Sequence, residues 1–259
     1  MLTKKIFRIA LVPVAVLTAV IVVWQIGGQR QASVAPAAVV TATTESTAAG
    51  AARAAAPQPI VLAQADTNGA ARRFELGEHY ARLTPAQPTS SGPDQIEVAE
   101  VFWYACPHCY TFDPYLESWK EDLAGDVNFV RIPVLWAGIH QIHARIYYTA
   151  ETLNKLDDMH ADVFREIHVN RNGLDNPAEI RNFFGNYDVD AATFDNTFES
   201  FAVYTKLQRA DELARRYQIS SVPMVIVNGK YTTSATMAGT YPQLLEVVNE
   251  LIDMERAGE

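Results

Sequence analysis

The stretch Glu100-Val101-Phe102-Trp103-Tyr104-Ala105-Cys106-Pro107-His108-Cys109 decides how this chain is read. From Ile96 to Tyr104 the residues are almost continuously apolar or aromatic, the pattern of a strand covered on both faces. The run stops at a Cys-x-x-Cys. Beyond it Phe112, Tyr115, Leu116, Trp119 and Leu123 recur at three and four, the helical period. Pro107 suits a first helical turn, where its missing N–H would have no partner anyway. Pro114 predicts a kink and Gly125 an end to that helix. Two thiols therefore stand where a strand passes into a helix.

Cys106 and Cys109 are the only cysteines among 259 residues. Two cysteines cannot staple a disulfide-rich scaffold. Covalent haem attachment needs His directly after the second Cys, and that position is Tyr110. A structural zinc site needs two further ligands. No second Cys-x-x-Cys exists, and the nearest His pair, His140 and His143, reads as solvated or capping residues. His79, His160 and His168 have no ligand-like context. A redox pair is the leading reading, with no metal site expected. At a helix start, unpaired N–H groups and the helix dipole favour a Cys106 thiolate. His108 adds positive charge or a hydrogen bond. Cys109, one turn in, is expected to be more buried and less acidic.

Glu100 interrupts the strand, on the same face as Val98, Phe102 and Tyr104 by period two. It is either at an exposed strand edge or a buried acid beneath the cysteines. An ionised carboxylate in the second position must be paired or poised to protonate. Val127 to Val134 reads as the next strand and carries a second charge, Arg131, a possible partner for Glu100. Trp103, Tyr104, Phe112 and Trp136 are either an apolar rim that receives unfolded chains or core.

Further out, Phe74 to Leu83 reads as a short edge element after a domain start near Arg72, and Pro85 to Pro93 is turn-rich. Trp136 to Ala210 reads as helical throughout. Ile142, Ile146, Ala150 and Leu153 mark one helix. Asn176-Pro177-Ala178-Glu179 is a capped start, and Phe194 and Phe198 lie on another helix. Ser200 to Tyr217 forms a long one with Val203, Leu207, Ala210 and Ala214 on one face. Met224 to Val227 and Lys230 to Thr233 flank Asn228-Gly229, a strong hairpin signal. Tyr241-Pro242 opens a last helix, with Leu244, Leu245, Val248, Leu251 and Ile252 inward. The order strand, helix, strand, helical insert, hairpin, helix is an α/β, thioredoxin-like plan with an inserted all-helical domain. The expected divisions are 72–135 and 211–259 for the thioredoxin-like domain and 136–210 for the insert.

At the amino terminus Lys4, Lys5 and Arg8 precede an apolar run of 18 residues, Ile9 to Ile26. Its charge arrangement is that of an export signal, and its length is at the lower limit for a span. No small-x-small cleavage signal follows directly, although Ala63-Gln64-Ala65 occurs downstream. Residues 1–26 are therefore expected to be an uncleaved anchor, with a cleaved signal peptide as the alternative. Residues 27–71 are poor in aromatics and read as a flexible, disordered tether. About 40 such residues have a typical end-to-end distance of roughly 35 Å. The net charge of −9 argues against nucleic acid as a partner.

Cys106-Pro107-His108-Cys109, Val222-Pro223 and Val227-Asn228-Gly229-Lys230-Tyr231 together resemble the DsbA family of periplasmic thiol:disulfide oxidants, over roughly residues 72–255. The anchor and tether depart from its soluble members. The resemblance implies a buried acid at Glu100 and a basic partner at Arg131, where lysine is familiar. It also implies a cis-proline at Pro223 facing the active site. Val222 would offer backbone groups to an extended substrate, and Glu100 would buffer a proton for Cys109. The implied activity is donation of the Cys106–Cys109 disulfide to exported proteins with free thiols, without a cofactor. A DsbB-type quinone-linked membrane oxidase would recycle the pair. The implied setting is the periplasm, tethered to the inner membrane, or soluble there if the segment is cleaved. A reductase or isomerase would run the same pair in the opposite direction. Isomerases usually carry a dimerising domain, which residues 27–69 look unable to form, so a monomer is expected. A metal-binding thiol carrier is the alternative of a different class, and it lacks further ligands.

Overall fold

The computed structural model describes residues 72–258; the expected anchor and the expected tether lie outside them. Five strands form one mixed sheet in the order β1-β5-β4-β2-β3. They are β1 (Ala81–Arg82), β2 (Ile96–Phe102), β3 (Val127–Pro133), β4 (Met224–Val227) and β5 (Tyr231–Thr233). β2 is central, parallel to β3 and antiparallel to β4. This explains its apolar run: a strand bonded on both edges and covered on both faces has no solvent side to mark with polar residues. The edge element foreseen for Phe74 to Leu83 shrinks to β1, two residues paired with β5, plus an isolated bridge between Leu76 and Tyr80.

Helix α1 (Pro107–Glu121) leaves the carboxyl end of β2, with Cys106 as its N-cap residue. It is continuous through Pro114 and stops at Asp122, short of Gly125, so Leu123 lies beyond the helix. α1 and the last helix, α8 (Tyr241–Ala257), cover one face of the sheet; Phe112, Leu116, Leu244 and Val248 close over Val98, Val225 and Val227 in one apolar cluster. A short α7 (Ala235–Ala238) precedes α8.

The insert comprises α2 (Gly138–Thr152), α3 (Leu156–His168), α4 (Pro177–Gly185) and α5 (Ala191–Phe198) and runs into α6 (Phe201–Arg216). It is not helical throughout. The segment 169–176 is irregular, with Arg171 and Leu174 at positive φ (59° and 45°). Asn176 caps α4, its side chain accepting from the Glu179 N–H at 3.1 Å. α6 passes unbroken through position 210, the expected boundary of the insert. Ala99, Val101, Phe102 and Ile226 of the sheet share one buried cluster with Ala144, Phe164, Val203 and Leu207 of these helices, so sheet and insert are packed as a single core.

At the β4–β5 turn, Asn228 and Gly229 have φ of 49° and 63°, the left-handed pair that Asn-Gly accepts readily. A Cβ on Gly229 would also collide with the backbone carbonyl oxygen of Gln87.

Candidate active site

The α1 N-terminus puts Cys106 and Cys109 on one turn, at different depths. Both are free thiols here, Cys106 7% exposed and Cys109 fully buried. A hydrogen bond from the Cys109 thiol is the largest influence on Cys106. It acts with the backbone N–H groups of Cys109 and His108 and the charge of His108, against burial, to draw the Cys106 pKa from 9.0 down to about 6. Burial first, then the Cys106 sulfur and the Glu100 charge, push Cys109 strongly the other way. One thiol is thus poised as an anion and its neighbour is held neutral. Pro107 occupies the first helical turn.

The Val222–Pro223 peptide is cis. The Cys106 thiol donates to the Val222 carbonyl oxygen across 3.6 Å. His108, Tyr115, Val222, Pro223, Thr236 and Tyr241 help line a groove of about 740 Å³ beside the sulfur. The Tyr241 hydroxyl donates to the His108 carbonyl at 3.1 Å and ties α8 to the Cys-x-x-Cys turn.

Glu100 is not at an edge. It is 1% exposed, in register with Arg131 on β3 and Val225 on β4. Arg131 donates from Nε to Glu100 Oε2 at 2.9 Å, and from Nη2 to Asp113 Oδ1 at 3.0 Å and Glu117 Oε1 at 2.6 Å. Glu100 Oε1 has no hydrogen-bond partner. Burial, opposed by Arg131 and reinforced by Asp113, pushes the Glu100 carboxyl up to about 7.

Asp113 and Glu117, to which the sequence pattern does not point, and His160, which it leaves without a ligand-like context, complete this cluster. Asp113 is four residues after Cys109 and next to the buried Phe112. A carboxylate on the apolar stripe of an active-site helix was the available signal. His160 shares a buried stripe with Met159, Val163 and Phe164. The aromatic candidates divide: Tyr104 and Phe112 are core, Trp103 is half-buried and Trp136 is 47% exposed. His143 is buried and donates to the Gly173 carbonyl at 2.9 Å, while His140 stacks on Trp103 at 4.2 Å. Among the described residues no group of three His, Cys, Asp or Glu side chains is arranged to hold a metal ion, and no helix is long and apolar enough to cross a membrane.

A thioredoxin-like sheet with an acidic Cys-x-x-Cys thiol at a helix start, facing a cis-proline, defines a thiol:disulfide oxidoreductase. Residues 128–246 match the family model for a DSBA-like thioredoxin domain. The chain is 38% identical over 200 residues to the thiol:disulfide interchange protein DsbA of Pseudomonas aeruginosa, covering 76% of this chain and 94% of that protein. It is 41% identical over 188 residues to the protein of that name from Pseudomonas syringae pv. tomato, covering 73% and 87%. A crystal structure of Pseudomonas aeruginosa DsbA superposes with a TM-score of 0.68 at 39% identity, over 71% of this chain and 96% of that one. The chain belongs to the DsbA family of thiol:disulfide oxidoreductases.

Proposed function

We propose that this protein donates its Cys106–Cys109 disulfide to exported proteins as they fold. The observation that carries the reading is the place of Cys106 as the N-cap residue of α1, where the Cys109 thiol and the backbone of Cys109 and His108 draw its pKa down to about 6. A reduced form with an anion stabilised there is comfortable, so its disulfide is energetic. A substrate thiolate attacks Cys106 Sγ; the S–S bond breaks and its electron pair passes to Cys109 Sγ, which takes a proton. A second substrate thiolate attacks the substrate sulfur of the mixed disulfide and expels Cys106, a good leaving group because of its low pKa. The enzyme ends with two more electrons and the substrate with a disulfide. For this two-electron couple about 30 mV corresponds to about 1.4 kcal/mol, so modest stabilisation of the thiolate sets the direction.

In this reading Glu100, close enough to Cys109 for its charge to bear on the thiol, supplies the proton that Cys109 needs, and Arg131 holds the acid in place. Val222 and Pro223, in the wall of the groove beside Cys106, meet the substrate main chain. The work is done in the periplasm, by a monomer tethered through residues 1–26, and a quinone-linked membrane oxidase of the DsbB type restores the disulfide. No cofactor is required, because sulfur carries the electrons.

The test uses oxidised wild type and Cys109→Ser whose Cys106 first carries a small aromatic thiol in mixed disulfide, each with a reduced, unfolded secretory protein. The substrate thiolate displaces the small thiol and a mixed disulfide through Cys106 forms on Cys109→Ser, while the wild-type disulfide accelerates oxidation of the substrate. Failure of the oxidised wild type to accelerate thiol oxidation contradicts the reading.

A further inference from the structure

Tyr241 is the first residue of α8 and is fixed there from both sides. Thr240 caps the helix, its side chain accepting from the Gln243 N–H at 3.2 Å, and Pro242 follows in the first turn. The Tyr241 ring stacks on Phe112, with centroids 5.1 Å and planes 21° apart, and lies against Tyr115 at 5.7 Å. Phe112 is fully buried and stands one helical turn after His108, so a ring resting on it reaches the His108 carbonyl. The Tyr241 hydroxyl donates to that oxygen at 3.1 Å. A carbonyl oxygen has two lone pairs, so the helical ladder of α1 leaves one for this bond. Burial, then the charges of Cys109 and Cys106, hold the Tyr241 pKa above its ordinary value, and the hydroxyl is a donor throughout the range in which Cys106 titrates.

The carbonyl that Tyr241 holds and the Cys109 N–H belong to one planar peptide unit, in which C=O and N–H point in opposite directions. Fixing the oxygen therefore fixes the line of the N–H. A hydrogen bond accepted at the oxygen also polarises the unit and makes its N–H a better donor. With Cys106 as the N-cap, His108 and Cys109 are the second and third residues of the helix, whose N–H groups serve a capping side chain. As a thiol, Cys106 donates to the Val222 carbonyl and accepts no cap bond. As a thiolate it can only accept, and the backbone of Cys109 and His108 favours that form. Facing Cys106 are Cys109 and His108 from α1, Tyr241 from α8 and the Val222 carbonyl from the cis-proline loop.

We propose that Tyr241 is a positioning residue for the reactive sulfur: through the His108–Cys109 peptide unit its hydroxyl aligns and strengthens the N–H that Cys106 Sγ turns to as an anion. The inference rests on the reading of Cys106 as a stabilised thiolate and adds to it a side chain that never touches the sulfur. The last helix of the fold thereby acts on the first cysteine through main chain alone. The ring and the hydroxyl have separate tasks: the ring packs α8 on α1, and the hydroxyl sets how strongly the Cys-x-x-Cys turn holds negative charge.

The experiment uses Tyr241→Phe, which keeps the ring on Phe112 and removes only the hydroxyl. Reduced full-length wild type and variant are titrated by the ultraviolet absorbance of the thiolate, and both are equilibrated with glutathione buffers at about pH 8. The variant titrates with a midpoint higher by about 0.5, and its redox equilibrium constant moves about threefold toward the disulfide. The Cys109 amide proton resonance moves upfield, as that of a weaker donor does. A merely structural role shifts the unfolding midpoint and leaves these three readouts native. A native titration midpoint and equilibrium constant in Tyr241→Phe overturn the proposal. Tyr241→Leu removes the ring as well: if it shifts the midpoint and Tyr241→Phe does not, packing and not the hydroxyl sets the thiolate, and the proposal falls. Wild type separates the two levels, because a wild-type midpoint like that of an ordinary thiol means that the thiolate reading has failed and Tyr241 has nothing to position.

Discussion

At the scale of single residues, two opposed titrations set the chemistry. Absorbance of the thiolate in reduced protein rises with a midpoint of about 6 and an amplitude of one thiolate, while Cys109 stays protonated. His108→Ala raises that midpoint, because it removes a nearby positive charge. The Cys106 pKa is lowered on folding from 9.0 to about 6, so its contribution to the stability of the reduced form is full above pH 9 and is lost as pH falls through 6. Denaturant titrations of reduced protein over that window read it directly. Glu100 has the opposite sign. Its pKa rises on folding from 4.5 to about 7, so its contribution is full below 4.5 and is lost as pH rises through 7. Glu100→Gln flattens the stability profile between those two values, and an unchanged slope there means that Glu100 is paired well enough to ionise normally. The residues Cys106, Cys109 and Glu100 were legible because a thiol pair and an acid stand out in an apolar run. Whether Glu100 was edge or core was not legible, since that depends on β4, whose residues arrive more than a hundred positions later.

Among the elements, turns and caps carried the clearest local signals. Asn228-Gly229 and Asn176 act where their side-chain and backbone preferences point. Gly229→Ala demands both a left-handed backbone and room that the Gln87 carbonyl fills. Its unfolding free energy falls by more than about 1 kcal/mol, with thermal denaturation as the readout. Asn176→Ala loses one cap and costs about 1 kcal/mol. Helix ends were less legible. α1 stops at Asp122 although Leu123 continues the apolar period, because Leu123 packs from outside the helix onto the cluster under α8. The irregular segment 169–176 was hidden for a similar reason. Leu174 is fully buried and mimics a helical stripe, but it reaches the core from a left-handed backbone position, its N–H bonded to the Asn172 side chain at 3.2 Å.

For the whole molecule, the insert is part of the active site's wall. Its α3 brings His160 to Asp113, and His168 of the same helix bonds the Tyr104 carbonyl at 2.8 Å and stacks on Tyr110 at 4.7 Å. Such contacts join residues far apart in the chain and leave no periodic trace, which is why the order of elements was readable and the polar cluster was not. Everything in the account turns on the reduced form being favoured by the Cys106 anion. The most direct test is equilibration of the full-length protein with glutathione buffers at pH 7, with thiols trapped and counted. The account predicts that the pair stays mostly reduced until the buffer is strongly oxidising, at a potential well above the roughly −270 mV of thioredoxin. A pair already oxidised in buffers as reducing as thioredoxin's own potential would contradict it.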